Sequence, residues 1–209
     1  MYKLILASQS PRRKELLKMI ESEFEIKVSN CEEIITSSEP KQVTMELAEQ
    51  KAMAVAKELN RQKKNDKQIE TTVKDEDSFI VIGADTVVAS GTEIFGKPKD
   101  KDDARRMINK ISGASHQVYT GVALVLVKGG KVERIDVFSE KTDVEVLHMS
   151  SQEIEEYISS TEPYDKAGGY GIQGTFGKYV TGIKGDYNNV VGLPVCRLYN
   201  ELKKCTKNI

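Results

Sequence analysis

Apolar side chains recur along this chain in two rhythms, continuous or alternating runs that suit strands and three-to-four spacings that suit helices. Leu4, Ile5, Leu6 and Ala7 form a short run expected to be a buried strand, followed by a turn over Ser8 to Ser10. A helix is expected from Pro11, since proline's fixed φ suits a first helical position, with Leu16, Leu17, Ile20 and Phe24 along its apolar side. Glu25 to Val28 alternates like a strand, and Ala48, Ala52, Val55 and Leu59 mark a helical stripe. Phe79 to Val88 is an apolar run bounded by polar sequence, the pattern of a central strand buried on both faces. Asp100 can cap a helix whose Ala104, Met107, Ile108 and Ile111 share one side, with Gly113 as its stop. Val118 to Val127 and Val132 to Val146 flank Lys128-Gly129-Gly130-Lys131, a strong hairpin signal, and Asp143 and Glu145 alternate with Val144 and Val146 to give one wet face. Ser150 and Glu153 make a capping box for a helix carrying Ile154, Tyr157 and Ile158 that Pro163 terminates. Val195, Leu198 and Leu202 face inward on a last helix over Pro194 to Lys204. This order predicts an α/β fold: a mixed, twisted sheet flanked by helices, with a cleft between two lobes.

At 209 residues the chain is long enough to bury a sheet between helices, and residues 1–209 are expected to form one domain. Asn60 to Ser78 breaks the pattern: it is polar, charged and nearly free of large apolar side chains, and is expected to be a solvated loop or disordered insertion. The net charge of -1 argues against a nucleic-acid or membrane partner held by bulk electrostatics, so any phosphate site must be local. Cys31, Cys196 and Cys205 are odd in number and widely spaced, and Met1 to Ile20 lacks an apolar leader; both point to a reducing cytosol and a cytoplasmic location. His116 and His148 are the only histidines, too few for a histidine metal cage.

Several polar residues stand where the pattern does not explain them. Ser8 and Ser10 sit beside the free N–H groups of a helix start, and Arg12 and Arg13 occupy its first turn, the wrong end for cations under the helix dipole. A bound polyanion would resolve the conflict; an ordinary serine cap with solvated arginines is the alternative. Glu32 and Glu33 follow a strand, either solvated or available to a divalent cation. Lys51 lies on the apolar stripe of its helix, where lysines usually reach out to water. Asp85 interrupts the buried run, so it needs a cation, a set of donors or an opening to solvent, unless Gly83 ends the strand and Asp85 caps a turn. Lys97 is pinned between Gly96 and Pro98. Gly168, Gly169, Gly171 and Gly174 imply sharp turns or close approach around Asp165, Lys166 and Gln173, the last with an amide able to read a base edge.

The run LILASQSPRRKELL, Leu4 to Leu17, resembles the N-terminal signature of the Maf family of nucleoside triphosphate pyrophosphatases. LAEQKA at Leu47 to Ala52, GADTVV at Gly83 to Val88, DKAGGYGIQG at Asp165 to Gly174 and GDYNNVVGLP at Gly185 to Pro194 resemble later motifs of that family. Gly169 stands where the family more often has alanine, and Asn188-Asn189 vary a loosely defined position. The resemblance covers Leu4 to Pro194 apart from the polar insertion. It implies a Maf/inosine-triphosphatase-like fold and hydrolysis of a nucleoside triphosphate between its α and β phosphates. It implies Asp85 as the catalytic base, and a magnesium or manganese ion held by Glu33 and Asp85. Arg12, Arg13, Lys51 and Lys97 would form a cationic cradle, with Ser8, Ser10, Asp165 and Lys166 as further binding residues. Arg12, Thr86 and Gln173 match the branch acting on dTTP and UTP; the branch acting on 7-methyl-GTP tends to have tryptophan, glutamine and glutamate there. The implied role is housecleaning of the nucleotide pool, including modified uridine triphosphates such as 5-methyl-UTP or pseudo-UTP. A second reading is a non-catalytic nucleotide-binding regulator of septum formation or cell division, a role also associated with the family. A phosphoryl-transfer enzyme is disfavoured by the lack of a G-x-x-x-x-G-K-[ST] loop. Family members are commonly homodimers, which makes a homodimer the assembly to test.

Overall fold

The structure, a computed structural model, describes residues 2–66 and 78–207. One seven-stranded sheet runs through it: β1 (Lys3–Leu6), β2 (Glu25–Ile26), β3 (Phe79–Ser90), β4 (Glu93–Phe95), β5 (Ser115–Lys128), β6 (Lys131–Val146) and β7 (Val180–Lys184). The spatial order is β2-β1-β3-β5-β6-β7, with β4 also on β3. β1 is parallel to β2 and β3, and every other pairing is antiparallel, so the sheet is mixed as expected. The helices are α1 (Pro11–Leu17), α2 (Pro40–Asp66), α3 (Lys101–Ile111), α4 (Ser151–Ile158), α5 (Tyr187–Val191) and α6 (Val195–Lys207). The glycine-rich stretch becomes short 3-10 turns at Glu162–Asp165, Ala167–Gly169 and Thr175–Tyr179.

β3 and β5 are long enough to serve two lobes. At one end, Val88 and Val118 pack with α3, α4 and the 3-10 turns. At the other, Ile80, Ile82, Val122 and Leu124 pack against α1 and α6 on one face, while Phe79, Val81, Ala123 and Val125 meet α2 on the opposite face. Two glycines set the fit of α2. A Cβ on Gly83 would come 2.2 Å from the Ala48 carbonyl oxygen, and one on Gly121 would come 2.1 Å from that of Thr44. The helix backbone therefore rests directly on the two central strands.

Three expectations change, and one alternative, the turn at Gly83, falls. α1 stops at Leu17, and Ile20 and Phe24 reach the core from the segment that follows it. The strand after it is only Glu25–Ile26, with both residues exposed. Gly83 does not end β3, which pairs with β5 without a break from Phe79 to Ala89. The expected polar insertion is helical at its start, since α2 continues through Asn60 to Asp66; residues 67–77 lie outside the described residues.

Candidate active site

β3 is paired with β1 only as far as Ile82, whose carbonyl accepts from the Ala7 N–H, and with β4 only from Val88 onward. Between these two partners one edge of β3 is left without a neighbouring strand. Successive strand residues point to opposite faces, so Asp85 faces α2 and Thr86 faces α1. The break in the edge lets both reach a single cavity of about 1260 Å³ between the lobes. The carboxylate is therefore placed mid-strand, beside a gap, rather than at a strand's carboxyl end.

Every residue to which the resemblance assigns a role lines this cavity: Ser8, Ser10, Arg12, Arg13, Glu33, Lys51, Asp85, Thr86, Lys97, Asp165, Lys166 and Gln173; Glu32 does not. On the α2 side, Lys51 Nζ donates to Asp85 Oδ1 at 2.5 Å and lies 2.9 Å from Glu33 Oε1. Lys51 and Asp85 are mostly enclosed, at 18% and 15% side-chain exposure, whereas Glu33 is half exposed at 48%. Glu33 arrives on an extended strap that α2 grips further along. The Gln50 amide accepts from the Ile34 N–H at 2.9 Å and donates to the Ile34 carbonyl at 2.6 Å. The Glu46 carboxylate takes the Thr36 N–H and hydroxyl, at 3.0 and 2.7 Å, and these bonds hold its pKa below the usual range.

On the α1 side, Ser10 is the helix N-cap, accepting from the Arg13 N–H at 3.4 Å. The Ser8 oxygen accepts from the Ser10 N–H and from Arg13 Nη1. Both hydroxyls thus act as acceptors within the protein and keep their own hydrogens for a ligand. The Arg13 guanidinium also donates through Nε to the Gly192 carbonyl at 2.9 Å and through Nη2 to Thr86 at 3.0 Å, leaving two of its five N–H donors uncommitted. Burial lowers the Arg13 pKa, opposed by the nearby Asp85 charge. Thr120 donates to the Asn189 carbonyl, so the Thr86–Thr120 contact at 2.9 Å must have Thr86 as donor. Thr86 therefore holds Arg13, and its hydroxyl hydrogen is already used.

The other lobe contributes Lys97, exposed and without an ion pair among the described residues, and the glycine-rich turns. Lys166 Nζ donates to Asp165 at 2.5 Å and to the Glu162 carbonyl at 2.7 Å, and Arg12 lies 3.6 Å from Asp165 across the cleft. Partial burial, the largest single effect, works against the Asp165 charge, but the bond and charge of Lys166 together with those of Arg12 outweigh it and the pKa falls. Gly168, at φ 69°, needs the left-handed conformation, and a Cβ there would come 2.7 Å from Val88. Gln173 is exposed to the cavity and makes no hydrogen bond to a described residue.

A family profile described as Maf-like protein matches residues 3–205. The chain belongs to the Maf family. Curated Maf relatives named dTTP/UTP pyrophosphatase come from Agathobacter rectalis, 52% identical over 98% of this chain and 98% of its own, and from Lachnoclostridium phytofermentans, 43% identical over 98% and 95%. A third, from Bacillus cereus, is 44% identical over 98% and 96%.

Two features of this Maf protein's cavity were not read from the sequence. Gln50 and Glu46 are four apart, a polar pair on one flank of an apolar helix, and that spacing was the available signal for the strap they hold. Glu162 is the second. Its carboxylate receives the Thr175 N–H at 2.9 Å and hydroxyl at 2.7 Å, and so fixes the chain just beyond Gln173. Nothing local in the sequence marks that contact. Among the described residues no helix is long and apolar enough to cross a membrane.

Proposed function

We propose that this chain is a cytosolic nucleoside triphosphate pyrophosphatase that hydrolyses dTTP and UTP, with modified uridine triphosphates, to the monophosphate and pyrophosphate. The observation that carries the reading is the convergence of Arg13, Lys51 and Lys97 with Asp85 on one cavity. A triphosphate brings about four negative charges, so catalysis of its hydrolysis is mainly positioning and charge stabilisation. Arg13 offers its two remaining N–H donors from a guanidinium locked on three sides, and Ser8 and Ser10 offer hydroxyl hydrogens next to it. Arg12, Lys97 and Lys166 extend the cradle from both lobes. Asp85 accepts the proton of a water whose oxygen attacks the α-phosphorus. The bond from that phosphorus to the bridging oxygen breaks, and pyrophosphate leaves.

The family implies a divalent metal, and the donor set fits one. Asp85 and Glu33 both direct oxygens at one cation position, here taken by the Lys51 ammonium, and carboxylate oxygens suit magnesium or manganese. No group of three or more His, Cys, Asp or Glu converges among the described residues, so phosphate oxygens and water would complete the coordination. Such an ion supplies neutralisation of the phosphate oxygens and activation of water. The neutral Gln173 amide, facing the cavity and unbonded to any described residue, can pair with the acceptor–donor–acceptor edge of thymine or uracil.

Incubation of the purified protein with a panel of nucleoside triphosphates and magnesium tests this directly. Pyrophosphate with a preference for dTTP and UTP is expected. Orthophosphate would instead indicate phosphoryl transfer, and binding without product would favour the regulatory module.

A further inference from the structure

We propose that Lys51 is the resident counter-ion of Glu33 and Asp85, and that its ammonium and a divalent cation are alternative occupants of that pair. The inference rests on the reading of those two carboxylates as metal-binding. Lys51 Nζ is within 2.5 Å of Asp85 Oδ1 and 2.9 Å of Glu33 Oε1, so one monovalent group already sits between both acids. Two carboxylates and one ammonium leave a charge of minus one in a partly enclosed site. A divalent ion in place of the ammonium brings the pair to neutrality. An ammonium and a dication held against the same two acids repel each other, and enclosure strengthens the repulsion because water screens it poorly.

Lys51 is well suited to give way. It is rooted in α2, while its four-carbon stem is flexible and its compact charge has no rigid fork to satisfy. Asp85 keeps a second cationic neighbour in Arg13, whose guanidinium is fixed by Gly192, Thr86 and Ser8 and does not share this freedom. A displaced Lys51 remains in the cavity that the phosphates would enter. Metal binding therefore hands one positive charge from the acids to the substrate, and a bound triphosphate, by holding Lys51 away, favours the metal in return. The two ligands become positively coupled through a single side chain.

Titration of Mn2+ into the nucleotide-free protein, followed by electron paramagnetic resonance of the free ion, separates the possibilities. Lys51→Met keeps the stem and removes the charge; it is expected to bind Mn2+ at least about tenfold more tightly than the wild type. Lys51→Arg keeps the charge and is expected to show no such gain. Equal or weaker binding by Lys51→Met overturns the proposal. A second measurement needs no variant: in lysine-labelled wild-type protein the Lys51 side-chain carbon resonance should move as Mg2+ saturates the protein, and a signal unmoved at saturation also overturns it. Asp85→Asn and Glu33→Gln identify which idea has failed. If they lose Mn2+ binding while Lys51→Met gains none, the metal site stands and the exchange does not. If both bind Mn2+ as the wild type does, the metal-site reading fails and the exchange falls with it.

Discussion

Asp85 is the residue whose chemistry the proposed reaction can least spare, because Arg13, Lys51 and Lys97 bind charge while Asp85 is the more enclosed of the two carboxylates on Lys51 and is assigned the proton. Asp85→Asn keeps the shape and should lower kcat by about a thousandfold, measured as pyrophosphate release, with an unchanged circular dichroism spectrum. Its importance was legible because a lone acid in an apolar run demands an explanation. The resemblance grouped Glu33, Lys51 and Arg13 with it, but the direct contact with Lys51 was not legible, since Lys51 is 34 positions away and only the fold brings the two together. His116 makes a different prediction. It is buried, its Nε2 meets the Tyr170 hydroxyl at 2.6 Å, Nδ1 has no partner among the described residues, and burial lowers its pKa from 6.5 to about 4. The unfolded chain therefore takes up a proton near pH 6.5 that the folded protein refuses until about pH 4. Stability is full above pH 6.5 and is lost as the pH falls through that window, by about 3 kcal/mol in all. His116→Gln should flatten the fall in unfolding free energy between pH 7 and pH 4 by a comparable amount in urea titrations.

Among the elements, α2 and the two central strands set the position of the cavity. Hydrophobic spacing was enough to find all three, together with the hairpin of β5 and β6 and the capping box of α4. It could not reveal that α2 lies backbone-to-backbone on the sheet, because nothing in the spacing says that Gly83 and Gly121 are glycine for the sake of that contact. Gly121→Ala would push a methyl into the Thr44 carbonyl, 2.1 Å from its ideal place, and neither backbone can yield locally. A loss of about 3 kcal/mol or more is expected, read as a lower denaturant midpoint with little change in slope. The same polar composition that suggested a loop over Asn60 to Ser78 is compatible with the last turns of a long helix, since lysine, glutamine and arginine are good helix formers whether or not they are buried.

At the scale of the whole molecule, the core of one lobe and the cores on the two sheet faces of the other share β3 and β5, and the cavity is the space between the lobes. A nucleotide that contacts Arg13 from one lobe and Lys97 and Gln173 from the other ties the lobes together. At a hundredfold excess over its Kd it should stabilise the folded state by about 2.7 kcal/mol. For a chain of this size that corresponds to a rise in Tm of about 5 to 10 °C, visible by scanning calorimetry with dTTP and a non-activating metal and absent with ATP if the base is read. The mixed α/β class and the cleft were legible from the order of periodic segments. The interruption along β3 was not, because it depends on where β1 ends and β4 begins rather than on any residue within it. That interruption has a consequence for solubility. An unpaired strand edge normally invites another chain to add on, yet this one spans only Gly83 to Val87 and is closed at both ends by strands already in place. An intruding strand finds no room to align in so short a gap, so the opening that lets Asp85 and Thr86 face the cavity does not make the protein a template for fibres.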